Sequence, residues 1–120
     1  MALILVADDE VLLSEMLADL LEDAGYDVVT APHGRAALDL IRARRPDLLI
    51  TDFMMPLMTG LELAEAVRAD DATRKLPIIL VTGAQGLLAR QVPGLFNSVL
   101  DKPFEPRELL QVIAALLPKA

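Results

Sequence analysis

The run Leu3-Ile4-Leu5-Val6-Ala7-Asp8-Asp9-Glu10 is apolar at its first five positions and then ends abruptly in three carboxylates. A strand with one face in water alternates apolar and polar side chains, whereas an unbroken apolar run reads as a strand covered on both faces. Two later runs behave the same way. Leu48-Leu49-Ile50 stops at Thr51-Asp52, and Ile78-Ile79-Leu80-Val81 stops at Thr82-Gly83. Longer segments of helical period lie between them, and that alternation is the sign of repeated βα units around a parallel sheet.

Five units are read outward from these runs. The predicted strands span about Ala2 to Ala7, Tyr26 to Ala31, Asp47 to Thr51, Pro77 to Thr82 and Ser98 to Leu100. The first helix runs from about Val11 to Ala24, with Leu12, Leu13, Met16, Leu17, Leu20 and Leu21 as one buried stripe, and Gly25 supplies a left-handed end. Thr59-Gly60-Leu61-Glu62 has the form of a capping box. Glu105-Pro106 opens the last helix, with Leu109, Leu110, Ile113, Leu116 and Leu117 inward, while Pro93-Gly94 cuts short a helix that starts near Leu87. The second and fifth strands are shorter or mixed with Asp27, Thr30 and Ser98, as edge strands tend to be. An α/β fold follows, a (βα)5 doubly wound, flavodoxin-like parallel sheet of order 2-1-3-4-5 with helices on both faces.

Composition narrows the function classes. A chain of 120 residues suits one hydrophobic core, and 54% hydrophobic residues exclude a disordered chain. A net charge of −7 would repel nucleic-acid phosphates, so direct nucleic-acid binding is not expected. With no cysteine there is no disulfide and no thiolate metal site. The apolar start lacks the basic flank of a signal peptide, and no apolar run approaches a membrane span, so a soluble cytoplasmic protein without membrane contact is expected.

In such a sheet function gathers outside the carboxyl ends of the strands. If the first and third strands are neighbours, Asp8, Asp9 and Asp52 meet at one rim. Carboxylates that close repel one another unless a cation sits among them, and Mg²⁺ suits a few carboxylates, a carbonyl and retained waters. Lys102 adds a fixed positive charge and Thr82 a hydroxyl. Carboxylate nucleophile, dication, ammonium and hydroxyl are the parts of a phosphoryl transfer that ends in an aspartyl phosphate.

The run Asp52-Phe53-Met54-Met55-Pro56-Leu57-Met58-Thr59-Gly60 resembles the phosphoacceptor segment of response-regulator receiver domains in two-component systems. Asp8-Asp9, Thr82-Gly83 and Lys102-Pro103-Phe104 resemble the other signature positions, in the family's order and over the whole chain. The resemblance implies a single receiver domain over residues 1–120 that takes a phosphoryl group onto Asp52 from a histidine kinase or a histidine phosphotransfer protein. The resemblance also implies that it is not a turnover enzyme and catalyses only its own phosphorylation and dephosphorylation. The resemblance further implies Mg²⁺, or Mn²⁺, held by Asp9, Asp52 and the carbonyl of Met54, with Asp8 acting through water. Lys102, the Thr82 hydroxyl and the Gly83 amide would contact the phosphoryl oxygens, and Lys102-Pro103 would be a cis peptide. Phosphorylation would switch binding to an output protein or domain, and a second copy of the chain is an admissible partner.

Val99 departs from the family, which usually carries an aromatic residue there. The switch is therefore expected to use the Gly83 to Asn97 segment, with Phe96 the nearest aromatic. This departure also keeps open a degenerate receiver acting as a phosphorylation-independent interaction or dimerisation module. A flavin-binding relative is disfavoured because Asp8 and Asp9 would repel its phosphate, and an aspartate-based phosphatase because Met54 stands where its acid-base carboxylate belongs. Other residues carry bland readings: Asp8-Asp9 as a helix cap, His33 as surface, Arg42, Arg44 and Arg45 as a solvated helix end, and Met54, Met55 and Met58 as packing.

Overall fold

The computed structural model describes residues 2–83 and 94–117. Strands β1 (Leu3–Ala7), β2 (Asp27–Ala31), β3 (Leu48–Asp52), β4 (Ile78–Thr82) and β5 (Ser98–Asp101) form one parallel sheet of order β2-β1-β3-β4-β5. The helices among the described residues are α1 (Val11–Asp23), α2 (Gly34–Arg44), α3 (Gly60–Ala69) and α4 (Pro106–Leu116). The doubly wound fold and its strand order are as expected, while the helix expected from Leu87 to Pro93 lies outside the described residues.

Burial follows the composition of the strands. β3 and β4 are buried throughout and β1 at all but its first residue, whereas the edge strands β2 and β5 are partly exposed. Side chains alternate across a strand, so each apolar run feeds two cores. Leu5, Leu49 and Ile78 pack with Ile41 of α2 and Leu63 and Val67 of α3. Ile4, Ile50 and Ile79 pack with Leu17 and Leu21 of α1 and Leu109 and Ile113 of α4. At roughly 1.5–3 kcal/mol for each fully buried aliphatic side chain, these two layers hold the sheet rigid beneath the polar edge.

The α1 stripe is narrower than expected. Leu12 and Met16 are 77% and 67% exposed, because the covered face is centred on Ser14, Leu17 and Leu21, spaced by three and four residues. The buried Ser14 hydroxyl is satisfied by the Val11 carbonyl at 3.1 Å. Gly25, just past the Ala24 cap, has φ of 99° and is left-handed as expected. The capping box is present, with Thr59 Oγ1 accepting from Glu62 N–H and Glu62 Oε1 from Thr59 N–H, each at 3.1 Å. His33 is more than surface: it is the N-cap of α2, its Nδ1 accepting from Ala36 N–H at 3.1 Å. Arg42 and Arg44 do form the last turn of that helix. Among the described residues no helix is long and apolar enough to cross a membrane.

Candidate functional site at the carboxyl edge of the sheet

Register brings the polar strand ends together. Ala7 pairs with Thr51, Asp52 with Val81 and Thr82 with Asp101, so the residues after β1, β3, β4 and β5 share one edge. Asp52 is the last residue of β3 rather than the first beyond it, and is 9% exposed. Its Oδ1 accepts from Phe53 N–H at 2.8 Å, and its Oδ2 lies 3.4 Å from Lys102 Nζ. Lys102 follows β5, is joined to Pro103 by a cis peptide, and donates its backbone N–H to the Thr82 carbonyl at 2.8 Å. Thr82 is buried at the end of β4 and Gly83 is exposed just past it.

Across the same edge, oxygens of Asp8, Glu10 and Asp52 all lie within 4.8 Å of one another. Asp8 is 4% exposed, and its Oδ1 accepts from Glu10 N–H at 2.9 Å. That bond folds the chain at Asp9, which stands exposed outside the group. Of the expected trio the structure thus gathers Asp8 and Asp52, with Glu10 as the third carboxylate. The bland reading of Asp8-Asp9 as a helix cap does not hold, because the N-cap of α1 is Glu10 and its side chain makes no cap hydrogen bond. Nothing in the sequence separates Glu10 from the acidic run that it ends, and only the turn closed by Asp8 aims it back at the site.

Burial raises the Asp8 carboxyl above its ordinary pKa of 3.8; the hydrogen bond from Glu10 N–H works against this, Asp52 adds to it, Lys102 opposes it and the Glu10 charge adds a smaller push. Clustered carboxylates with one ammonium leave an excess of negative charge, two of its carriers, Asp8 and Asp52, being buried. A hard dication fits that donor set.

Close packing fixes the loop after Asp52. A Cβ on Gly60 would strike the backbone oxygen of Asp52, and the Gly60 N–H donates to Phe53 O at 2.8 Å, so α3 begins against the back of Asp52. A Cβ on Gly34 would strike the Met58 carbonyl from the α2 side. Leu57, at the loop tip, has φ of 68° and is 80% exposed. Met55 is buried and Met58 packs against the core as expected, but the Met54 side chain is 57% exposed. Val99 is half-buried in β5 opposite Leu80, and Phe96 already packs against the α2–α3 core; Ala84 to Pro93 of the expected switch segment lie outside the described residues.

Comparison with known proteins agrees with this geometry. The response regulator receiver domain model matches residues 4–114. The phosphate regulon transcriptional regulatory protein PhoB of Pseudomonas aeruginosa is 39% identical over 95% of the chain, and the match covers 51% of that protein. The chain thus spans about half the length of the curated relatives it matches. The structure of the chemotaxis response regulator CheY4 of Vibrio cholerae superimposes with a TM-score of 0.89 at 36% identity, covering 98% of this chain and 99% of that one. That of the response regulator TrrA of Thermotoga maritima, in complex with Mg²⁺-BeF, has a TM-score of 0.86 at 33% identity, covering 98% and 100%. The sheet order and a family match across nearly the whole chain agree, and the chain belongs to the response regulator receiver domain family.

Proposed function

We propose that the chain is a phosphoacceptor module, a single receiver domain over residues 1–120 that takes a phosphoryl group onto Asp52 from a histidine kinase or a histidine phosphotransfer protein. The observation that carries this reading is the pairing of Asp52 with Lys102 at 3.4 Å beside the Asp8 and Glu10 carboxylates. One Asp52 carboxylate oxygen attacks phosphorus, the bond from phosphorus to the donor nitrogen breaks, and an acyl phosphate forms. Phe53 N–H holds Oδ1 and so fixes the plane of the attacking group. Lys102 offers its ammonium to the phosphoryl oxygens as the charge that it now shares with Asp52 passes to the new group. The Thr82 hydroxyl and the Gly83 amide are proposed to bond the transferred group on the β4 side.

The proposed ligands of Mg²⁺, or of Mn²⁺, are Asp52, the Met54 carbonyl and Asp9, which would turn in from its exposed position, with Asp8 acting through water and Glu10 adding negative charge. When bound, the dication neutralises charge on the phosphoryl oxygens. The output is a change in binding to another protein or domain, with a second copy of the chain as a further partner. DNA would be reached only through such a domain, and the proposed compartment is the cytoplasm. A phosphorylation-independent module is disfavoured by the gathering of Asp8, Glu10, Asp52 and Lys102 at one edge.

The test is intact-mass spectrometry after incubation with acetyl phosphate, with and without Mg²⁺. A phosphate adduct that needs Mg²⁺ and disappears in Asp52→Ala is expected; its absence from the wild type under both conditions would reject the reading.

A further inference from the structure

Arg68, in the last turn of α3, spends its whole guanidinium on neutral oxygens. Nε donates to Gly94 O at 3.2 Å, Nη1 to Arg74 O at 2.8 Å and Leu76 O at 2.6 Å, and Nη2 to Leu95 O at 3.0 Å and Asn97 Oδ1 at 2.9 Å. Arginine has five N–H donors in a rigid planar fork, and here every one is used. Burial lowers the pKa of the group, as it should for a cation taken out of water among carbonyls. The fork therefore fixes three pieces of chain relative to one another: the end of α3, the connection into β4 and the approach to β5.

Asn97 carries this hold into the sheet. Its Oδ1 accepts from Ile78 N–H as well as from Arg68, and its own N–H donates to Ile78 O, both bonds with Ile78 being 2.8 Å. β5 is an edge strand, four residues long, with β4 as its one strand neighbour among the described residues. Its entry is tied to β4 by Asn97 and its exit by the bond from Lys102 N–H to Thr82 O. A slip of such a strand along β4 would carry Lys102 away from Asp52.

We propose that Arg68 and Asn97 are positioning residues for Lys102: the guanidinium fork locks the entry of β5 to β4, and this lock sets where β5 delivers the Lys102 ammonium. The proposal rests on the reading of Asp52 as phosphoacceptor and Lys102 as its cationic partner.

The test compares Arg68→Lys and Arg68→Met with wild type, each also in a Lys102→Ala background, at a temperature where circular dichroism shows all of them folded. Lysine keeps the charge but not the fork, so both substitutions should slow Mg²⁺-dependent labelling by acetyl phosphate about three- to tenfold, with Mg²⁺ affinity unchanged. In the Lys102→Ala background neither should slow it further. Equal slowing in both backgrounds, or full rescue by lysine, would overturn the proposal, because a general loss of structure or of charge would act that way. Hydrogen exchange supplies an arm independent of phosphate: the Asn97 and Lys102 amides should exchange faster in Arg68→Lys. If the wild type takes no phosphate the proposed function fails, and the exchange arm alone then decides the clamp, unchanged exchange at both amides overturning it.

Discussion

Asp8 bears the electrostatic cost of the site. Its folded pKa is raised above 3.8, chiefly by burial, so its contribution favours the folded state at pH below the ordinary carboxylate value and is lost as pH rises through the raised one. At neutral pH the charged, buried carboxylate opposes folding. Replacing Asp8 with asparagine would keep an oxygen for the Glu10 N–H while removing the charge. Asp8→Asn is therefore expected to melt above the wild type at neutral pH without Mg²⁺, with the gap closing as pH falls toward 3.8. Thermal unfolding across that range checks this, and a lower melting temperature for the variant at neutral pH would contradict it. Asp8, Asp52 and Lys102 were legible in the sequence because each interrupts or follows an apolar run. Glu10 was not, because its place depends on one turn, and neither was Arg68, whose partners are mostly backbone oxygens that no sequence pattern marks.

At the level of elements, the start of α3 is built from two separable parts. Thr59→Ala removes a cap and is expected to cost about 1 kcal/mol without moving Asp52. Gly60→Ala places a Cβ against the Asp52 backbone oxygen, so the helix or the strand end must shift; a loss of about 1–3 kcal/mol and slower phosphorylation are expected. Denaturant unfolding together with labelling kinetics separates the two, and a Gly60→Ala protein as active as Thr59→Ala would count against this packing argument. The proposed switch belongs to this scale as well. Val99 has few rotamers, and Phe96 is flanked by Leu95 and Asn97, both bound by Arg68, so a large aromatic swing is not expected at either position. Hydrogen exchange over residues 83–97 is expected to change when beryllofluoride and Mg²⁺ bind. Equal protection in a protein shown to be occupied would remove that segment as the output route. The strand limits are legible to within a residue because the apolar runs end so sharply, whereas the width of the α1 stripe is not, because periodicity does not say how much of a helix face the neighbours cover.

For the whole molecule, a rigid two-core sheet holds an edge whose charge is unbalanced, and binding a cation there should stabilise the fold by mass action. Mg²⁺ at about a hundredfold excess over its Kd is expected to add about 2.7 kcal/mol to stability, read as a rise in melting temperature. The rise should be lost in Asp52→Ala, and an equal rise in that variant would place the ion elsewhere. Strand composition marks the three central strands, since only the fully apolar runs can be covered on both faces, and the doubly wound pattern orders them as 2-1-3-4-5. The gathering of acids on one side of Asp52 and the lysine on the other followed from that order.

The central claim is that the bond to phosphorus forms at Asp52 and nowhere else. Borohydride reduction of the protein treated with acetyl phosphate and Mg²⁺ converts an aspartyl phosphate into homoserine, and peptide mass spectrometry reads its position. Homoserine at position 52 alone, and only with Mg²⁺ present, is the expected result; homoserine in place of Asp8 or Asp9, or none in a protein that carries phosphate, would contradict the account.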